Sequence, residues 1–247
     1  MSRLRYLLVT EVRPIPSMAI KVIAAGASTG FSVLHRWLPS SSLTRIPADS
    51  CSLGVDLARA GMGLKAYFIP HVRSRMTKKP VIDIVTHTIN DLRLGLPWSK
   101  ATSYFSTLPQ EYKVEPVIVA VDCVPEAENR FKVYVRTQAT HLSALLGMLS
   151  LGGQLKGPAI DATLAKLREL WHVMFGPISD DTPVKHQRSN TGPTGFLFYY
   201  EMALGSDSPI PKIYIPAARF LDNDARVSQV VSQFVGSGYT NDIRTLL

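Results

Sequence analysis

The chain has 247 residues, 46% hydrophobic and 19% charged, with a formal net charge of +8. It is long enough to bury a sizeable core as one or two domains. No apolar run approaches the roughly 20 residues of a membrane span, and the basic residues are too dispersed for the dense stripe that nucleic acid favours.

Residues 1–49 read as an atypical N-terminal segment. They carry six Lys or Arg against Glu11 and Asp49, with a Ser run at Ser40 to Ser42. That loosely resembles a transit peptide but lacks its amphipathic repeat; a truncated or mis-started chain is the expectation. Cys51 and Cys123 belong to no CxxC or Cys/His cluster. This argues against zinc and suits a reducing, cytoplasmic compartment.

From residue 50 a unit recurs: strand, turn, strand, helix. First come a strand from Cys51 to Leu57, a turn from Arg59 to Gly63 and a strand from Leu64 to Ile69. A helix is predicted from Pro80, with Ile82, Val85, Ile89 and Leu92 at helical spacing and Gly95 as its end. The second unit has strands from Val117 to Cys123 and Arg130 to Arg136, around a turn from Pro125 to Asn129. A short helix through Leu142, Leu145, Leu146 and Leu149 stops at Gly152-Gly153, and a longer one runs from Pro158 to Phe175. Ser179 to Pro193 reads as a polar loop. The third unit has strands from Gly195 to Met202 and Lys212 to Pro216. Its helix is capped by Asn223 or Asp224 and stopped by Gly236, with Val227, Val230, Val231 and Phe234 as its stripe. Hairpins followed by helices imply an α+β fold, an antiparallel sheet with helices on one side.

The second strand of each unit carries Lys and Tyr two residues apart: Lys65 and Tyr67, Lys132 and Tyr134, Lys212 and Tyr214. Side chains two apart on a strand share a face, and Arg130 shares that of Lys132. The lysines recur at spacings of 67 and 80 residues. One such pair reads as solvated and outward-facing, but three followed by helices favour a lined cavity. If the sheet closes into a barrel, Lys65, Arg130, Lys132 and Lys212 gather around its lumen. Left empty, such a cluster repels itself. A diphosphate would relieve that repulsion, and the tyrosine rings suit an adjoining carbocation.

Asp56, Asp122 and Glu201 precede the three lysines by 9, 10 and 11 residues, and are read as strand-end or turn residues. Phe196, Phe198 and Tyr200 alternate along a strand and line either an acceptor pocket or the core. His87, His141 and His172 are read as structural or solvent-facing, and Trp37, Trp98 and Trp171 as packing residues. No DDxxD motif is present, and the acidic doublet Asp180-Asp181 falls in the polar loop, so no metal cofactor is expected. Phosphate-cradle and nucleophile-elbow motifs are also missing.

The segments Gly54-Val55-Asp56-Leu57, Leu64 to Pro70, Asp122-Cys123-Val124, Arg130 to Arg136, Ser150 to Gly153 and Lys212 to Pro216 with Asn223-Asp224 together resemble the fungal aromatic prenyltransferases of the dimethylallyltryptophan synthase type. The resemblance implies the αββα (ABBA) barrel of that family, with residues 50–247 holding about three of its five repeats. It implies metal-independent transfer of a dimethylallyl group from its diphosphate to an indole or related aromatic acceptor in alkaloid metabolism, with neither nucleic acid nor membrane as a partner. By position Lys65, Arg130, Lys132 and Lys212 match the diphosphate ligands, and Tyr67, Tyr134 and Tyr214 the cation-shielding rings. The family's upstream catalytic glutamate finds no match, and the chain looks truncated at both ends. Ile69 and Val117 stand where tryptophan-using relatives hold polar contacts, which puts free tryptophan in doubt as acceptor. Two other readings remain open: a non-catalytic relative that at most binds anions, and a basic nucleic-acid-binding module.

Overall fold

The computed structural model describes residues 51–58, 61–124, 129–185 and 195–235. The N-terminal segment, residues 59–60 of the first predicted turn, most of the second, the later part of the polar loop and Gly236 lie outside these residues. Among the described residues six strands form one sheet in chain order, β1 to β6. The first strand, β1 (Cys51–Ala58), pairs antiparallel with β2 (Gly61–Phe68), from Cys51 opposite Phe68 to Ala58 opposite Gly61. The second pairs antiparallel with β3 (Glu115–Asp122), from Lys65 opposite Asp122 to Phe68 opposite Val119. The remaining strands are β4 (Arg130–Thr137), β5 (Phe196–Ala203) and β6 (Ile210–Tyr214).

Helices follow each strand pair, as expected from the hairpin pattern. After β2 come α1 (Pro70–Thr77), α2 (Val81–Asp91) and α3 (Gly95–Phe105); after β4, α4 (Leu142–Ser150) and α5 (Pro158–Phe175); after β6, α6 (Ala217–Phe220) and α7 (Asp224–Val235). The chain divides into two compact units: Met1–Ser99, Glu115–Val135 and Tyr200–Ile210 in the first, and Lys100–Val114, Arg136–Tyr199 and Pro211–Leu247 in the second.

In the first unit the strands sort their residues by period two. Ala66, Phe68, Val119, Val121, Phe131 and Val133 are buried, together with Ile84, Val85 and Ile89 of α2, which packs on β3. Trp98 is buried, and its indole N–H donates to the Thr86 hydroxyl at 2.9 Å. In the second unit α5 packs on α4 and α7. Pro158 opens α5 and Gly176, at φ +77°, closes it, where only a residue without a Cβ turns freely. Met174, Leu221 and Val230 form one core cluster of this unit. Trp171 is fully buried, edge-on to Phe175 at 4.5 Å between centroids.

Three local expectations are corrected. The sequence reading has no helix at Pro70–Thr77, yet α1 forms there with Pro70 in its first turn; it carries Arg73 and Arg75 and lacks an apolar stripe to announce it. Gly95 opens α3 rather than ending α2, which stops at Asp91 with Arg93 left-handed at φ +59°. Strand β6 ends at Tyr214, and Pro216 caps α6. The open choice for Phe196, Phe198 and Tyr200 falls to the core, since all three are fully buried. Of the two candidate caps for α7, Asn223 acts: its side-chain oxygen accepts the Arg226 N–H at 2.9 Å.

Candidate functional site

Directly opposed residues of an antiparallel pair project to the same face. The β2–β3 register therefore puts Lys65 with Asp122 and Tyr67 with Ala120 on one face, and the β1–β2 register adds Gly54 and Ser52. On β4 the residues Phe131, Val133 and Val135 are buried in the core. Arg130, Lys132 and Tyr134 alternate with them and point the other way.

The Asp122 carboxylate binds both basic residues of β4. Lys132 Nζ lies 3.2 Å from its Oδ1 and 3.5 Å from its Oδ2. Arg130 donates to Oδ2 from Nε at 3.0 Å and approaches it with Nη2 at 2.9 Å. The remaining terminal nitrogen of Arg130 reaches Glu201 Oε1 on β5 at 3.6 Å. Asp122 is 7% exposed and Lys132 8%, so this is a largely desolvated pair. The Arg130 side chain is half exposed. Glu201 Oε2 is buried and has no hydrogen-bond partner among the described residues.

Lys65, Arg130, Lys132, Tyr67 and Tyr134 thus share a face within one unit, as the sequence pattern requires. The expectation that the cations repel one another when unoccupied is corrected by two carboxylates set among them. Asp122 does end its strand as read, but its side chain is the hub of the cluster and Glu201 is its outer member. Sequence reasoning noted their spacing and missed their role, because ion pairs across strands depend on register. Asp56 lies opposite Gly63 in β1; its side chain is outside the described residues.

The Tyr67 ring lies over Gly54: a Cβ built at Gly54 would stand 3.0 Å from Tyr67 Cε2. Val117 belongs with Val119 and Val121 by strand alternation and is buried.

Lys212 and Tyr214 belong to the second unit, where both lie beside Tyr199. Lys212 Nζ sits 5.3 Å from the centre of the Tyr199 ring, and the Tyr199 and Tyr214 rings are 5.8 Å apart at 46°. Tyr199 was missed by sequence reasoning, which followed its even-numbered neighbours; its position two before Glu201 is the signal that could have found it.

Burial pushes the Cys51 thiol up to about 12, and burial also raises that of Cys123, so neither is tuned as a nucleophile. His87 is exposed beside Asp91, and His141 shares a hydrogen bond with the Tyr112 hydroxyl at 2.9 Å. Among the described residues no three His, Cys, Asp or Glu are grouped to hold a metal ion, and no helix is long and apolar enough to cross a membrane.

The strand-pair and helix order is that of the αββα prenyltransferases. The chain superposes on AnaPT from Neosartorya fischeri with a TM-score of 0.71 at 20% identity, covering 92% of this chain and 58% of that one. A 6-dimethylallyltryptophan synthase from Micromonospora olivasterospora gives 0.64 at 16% identity, covering 92% and 61%.

Residues 34–241 match the family model for tryptophan dimethylallyltransferase, and the chain belongs to that family. It is 30% identical to a 4-O-dimethylallyl-L-tyrosine synthase of Claviceps purpurea over 74% of its own length and 43% of the relative's. It is 29% identical to a 7-dimethylallyltryptophan synthase of Aspergillus fumigatus over 74% of its length and 40% of the relative's. The chain therefore spans less than half the length of these curated relatives.

Proposed function

We propose that the chain carries the diphosphate end of an enzyme that transfers a dimethylallyl group from dimethylallyl diphosphate to an aromatic, indole-type acceptor without a metal ion. The observation that carries this reading is the single sheet face holding Lys65, Arg130 and Lys132 beside Tyr67 and Tyr134. The names of the relatives, which specify dimethylallyl transfer to tyrosine and tryptophan, support the substrate class.

In this reading Lys65, Arg130, Lys132 and Lys212 bind the diphosphate. The allylic C–O bond breaks with its electron pair leaving on the diphosphate, whose developing charge the cations stabilise. Tyr67, Tyr134 and Tyr214 face the allyl cation and keep water from it. The ring carbon of the acceptor then forms the new C–C bond, and a proton leaves that carbon to a base that stays unassigned. Lys and Arg supply the positive charge that a metal ion would otherwise provide. The two free thiols suit a reducing, cytoplasmic setting.

The test is an assay of the chain with dimethylallyl diphosphate and a panel of indoles, with and without EDTA, beside the Lys132→Ala variant. Prenylated product formed in EDTA and lost in the variant supports the reading; product abolished by EDTA overturns it. Diphosphate binding without turnover would favour a non-catalytic, anion-binding relative.

A further inference from the structure

The cations of the first unit are not left to a ligand for neutralisation. Lys65, Arg130 and Lys132 give three formal positive charges, and Asp122 and Glu201 remove two, leaving +1 among these side chains. The carboxylates are not peripheral. Asp122 takes the Nε and Nη2 edge of Arg130 and also Lys132, at 2.9 to 3.5 Å. That edge of Arg130 offers two N–H groups of the kind that bind phosphate bidentately, and here a carboxylate oxygen already occupies it.

We infer that Asp122, with Glu201 in a lesser part, is a resident counter-anion of the diphosphate site that weakens its hold on diphosphate and so speeds release of the diphosphate product. The inference rests on the proposed function above. The same anion is leaving group and product in such a transfer, so a cluster of bare cations would stabilise it as much after reaction as during it. Binding that is uniform across the reaction does not raise turnover, and a product held tightly makes its release the slow step. Asp122 offsets part of that attraction while keeping Lys132 and Arg130 in place. It acts through those two residues and is therefore a positioning residue, not a catalytic one.

The burial of the pair gives the effect its sign. Replacing Asp122 by Asn keeps a side-chain oxygen near Lys132 and removes the charge, which leaves a desolvated ammonium without its counter-ion. An incoming diphosphate would then supply the missing negative charge. A loss of orientation alone would act the other way and weaken binding.

The test uses inorganic diphosphate as probe, titrated calorimetrically into the wild-type chain and into Asp122→Asn, Glu201→Gln and Asp161→Asn. Asp161 lies exposed in the first turn of α5 and makes the same change in net charge elsewhere. Asp122→Asn should bind diphosphate about tenfold more tightly. Glu201→Gln should tighten binding about twofold to threefold, since its contact with the half-exposed Arg130 is longer and more screened. Asp161→Asn should match the wild type. In an active preparation the inhibition constant for diphosphate should fall by the same factors. Unchanged or weaker binding in both site variants, where the wild type binds diphosphate, overturns the inference and leaves the proposed function standing. Equal tightening in Asp161→Asn also overturns it. If Asp122→Asn fails to fold, Glu201→Gln decides. A wild-type chain that binds no diphosphate removes the proposed site and this inference with it.

Discussion

Gly54 lies under the ring of Tyr67, close enough that an added methyl would meet the ring edge at 3.0 Å and the hydroxyl at 3.7 Å. A glycine inside a strand usually costs stability, about 0.5–1 kcal/mol relative to alanine. Here it creates the room that lets a cross-strand aromatic lie down on its neighbour. Gly54→Ala should therefore leave the fold intact and move the ring by a few tenths of an ångström. If Tyr67 shields an allyl cation, water gains access to it. The ratio of dimethylallyl alcohol to prenylated aromatic should rise about twofold or more, with a larger rise in Gly54→Val. Product chromatography checks this, and the rise should vanish when Tyr67 is already Ala.

Lys132 is held in a largely desolvated pair, so its removal is a stability test as well as a functional one. Lys132→Met leaves Asp122 buried with Arg130 as its remaining partner among these contacts. The expected loss is about 3 kcal/mol, the lower end for breaking a buried pair. Urea unfolding reads it. A loss under about 1 kcal/mol would mean that water reaches the pair far more freely than 8% exposure of Lys132 allows.

Tyr104 of α3 fills a slot at the end of α4. A methyl added at Gly147 would clash with its hydroxyl, and one added at Gly152 would meet its ring carbons at 2.8 Å. Gly147→Ala should cost about 1–3 kcal/mol, and Tyr104→Phe should recover most of it by removing the clashing oxygen. Gly152→Ala should not be recovered by that change. It meets the ring itself, and its φ of +66° adds about 1–2 kcal/mol of backbone strain. Thermal unfolding of the four variants separates the two cases.

The alkaline limb of stability has a definite sign. The Cys51 thiol is held at about 12 in the folded chain against an ordinary value of 9.0, chiefly by burial and then by the nearby Cys123. Tyr104 is raised as well, by burial and then by Tyr112. A raised folded value means the neutral form is preferred when folded. The stability it brings is present below pH 9 and is lost as pH rises from about 9 towards 12. Cys51→Ala should flatten the fall of stability across that window. At pH 8 a thiol reagent should modify Cys123, which is partly exposed, well before Cys51.

The strands and their Lys-x-Tyr pattern were legible because period two needs only the local sequence. The same holds for α5, whose Pro158 and Gly176 mark both ends. Helix α1 was not legible, since its exposed basic face carries no apolar period. Gly95 was ambiguous in kind: glycine marks helix boundaries on either side. The run Phe196-Leu197-Phe198-Tyr199-Tyr200 is apolar on both phases, so no alternation could tell the core face from the face of Lys212. The hub at Asp122 was beyond reach for a different reason. Its partners lie 8 and 10 residues away on the next strand, and only the register of the sheet decides which acid meets which base.

Among the described residues each compact unit also carries its own optical label. Trp98 in the first and Trp171 in the second are both dry, but Trp98 donates its indole N–H to a hydroxyl while Trp171 Nε1 has no acceptor among the described residues. The two indoles therefore sense different local dipoles, and their emission should differ in wavelength. In a Trp37→Phe background, if the units melt separately, fluorescence will report two successive red shifts, and the bluer component, from Trp171, dates the loss of the second unit.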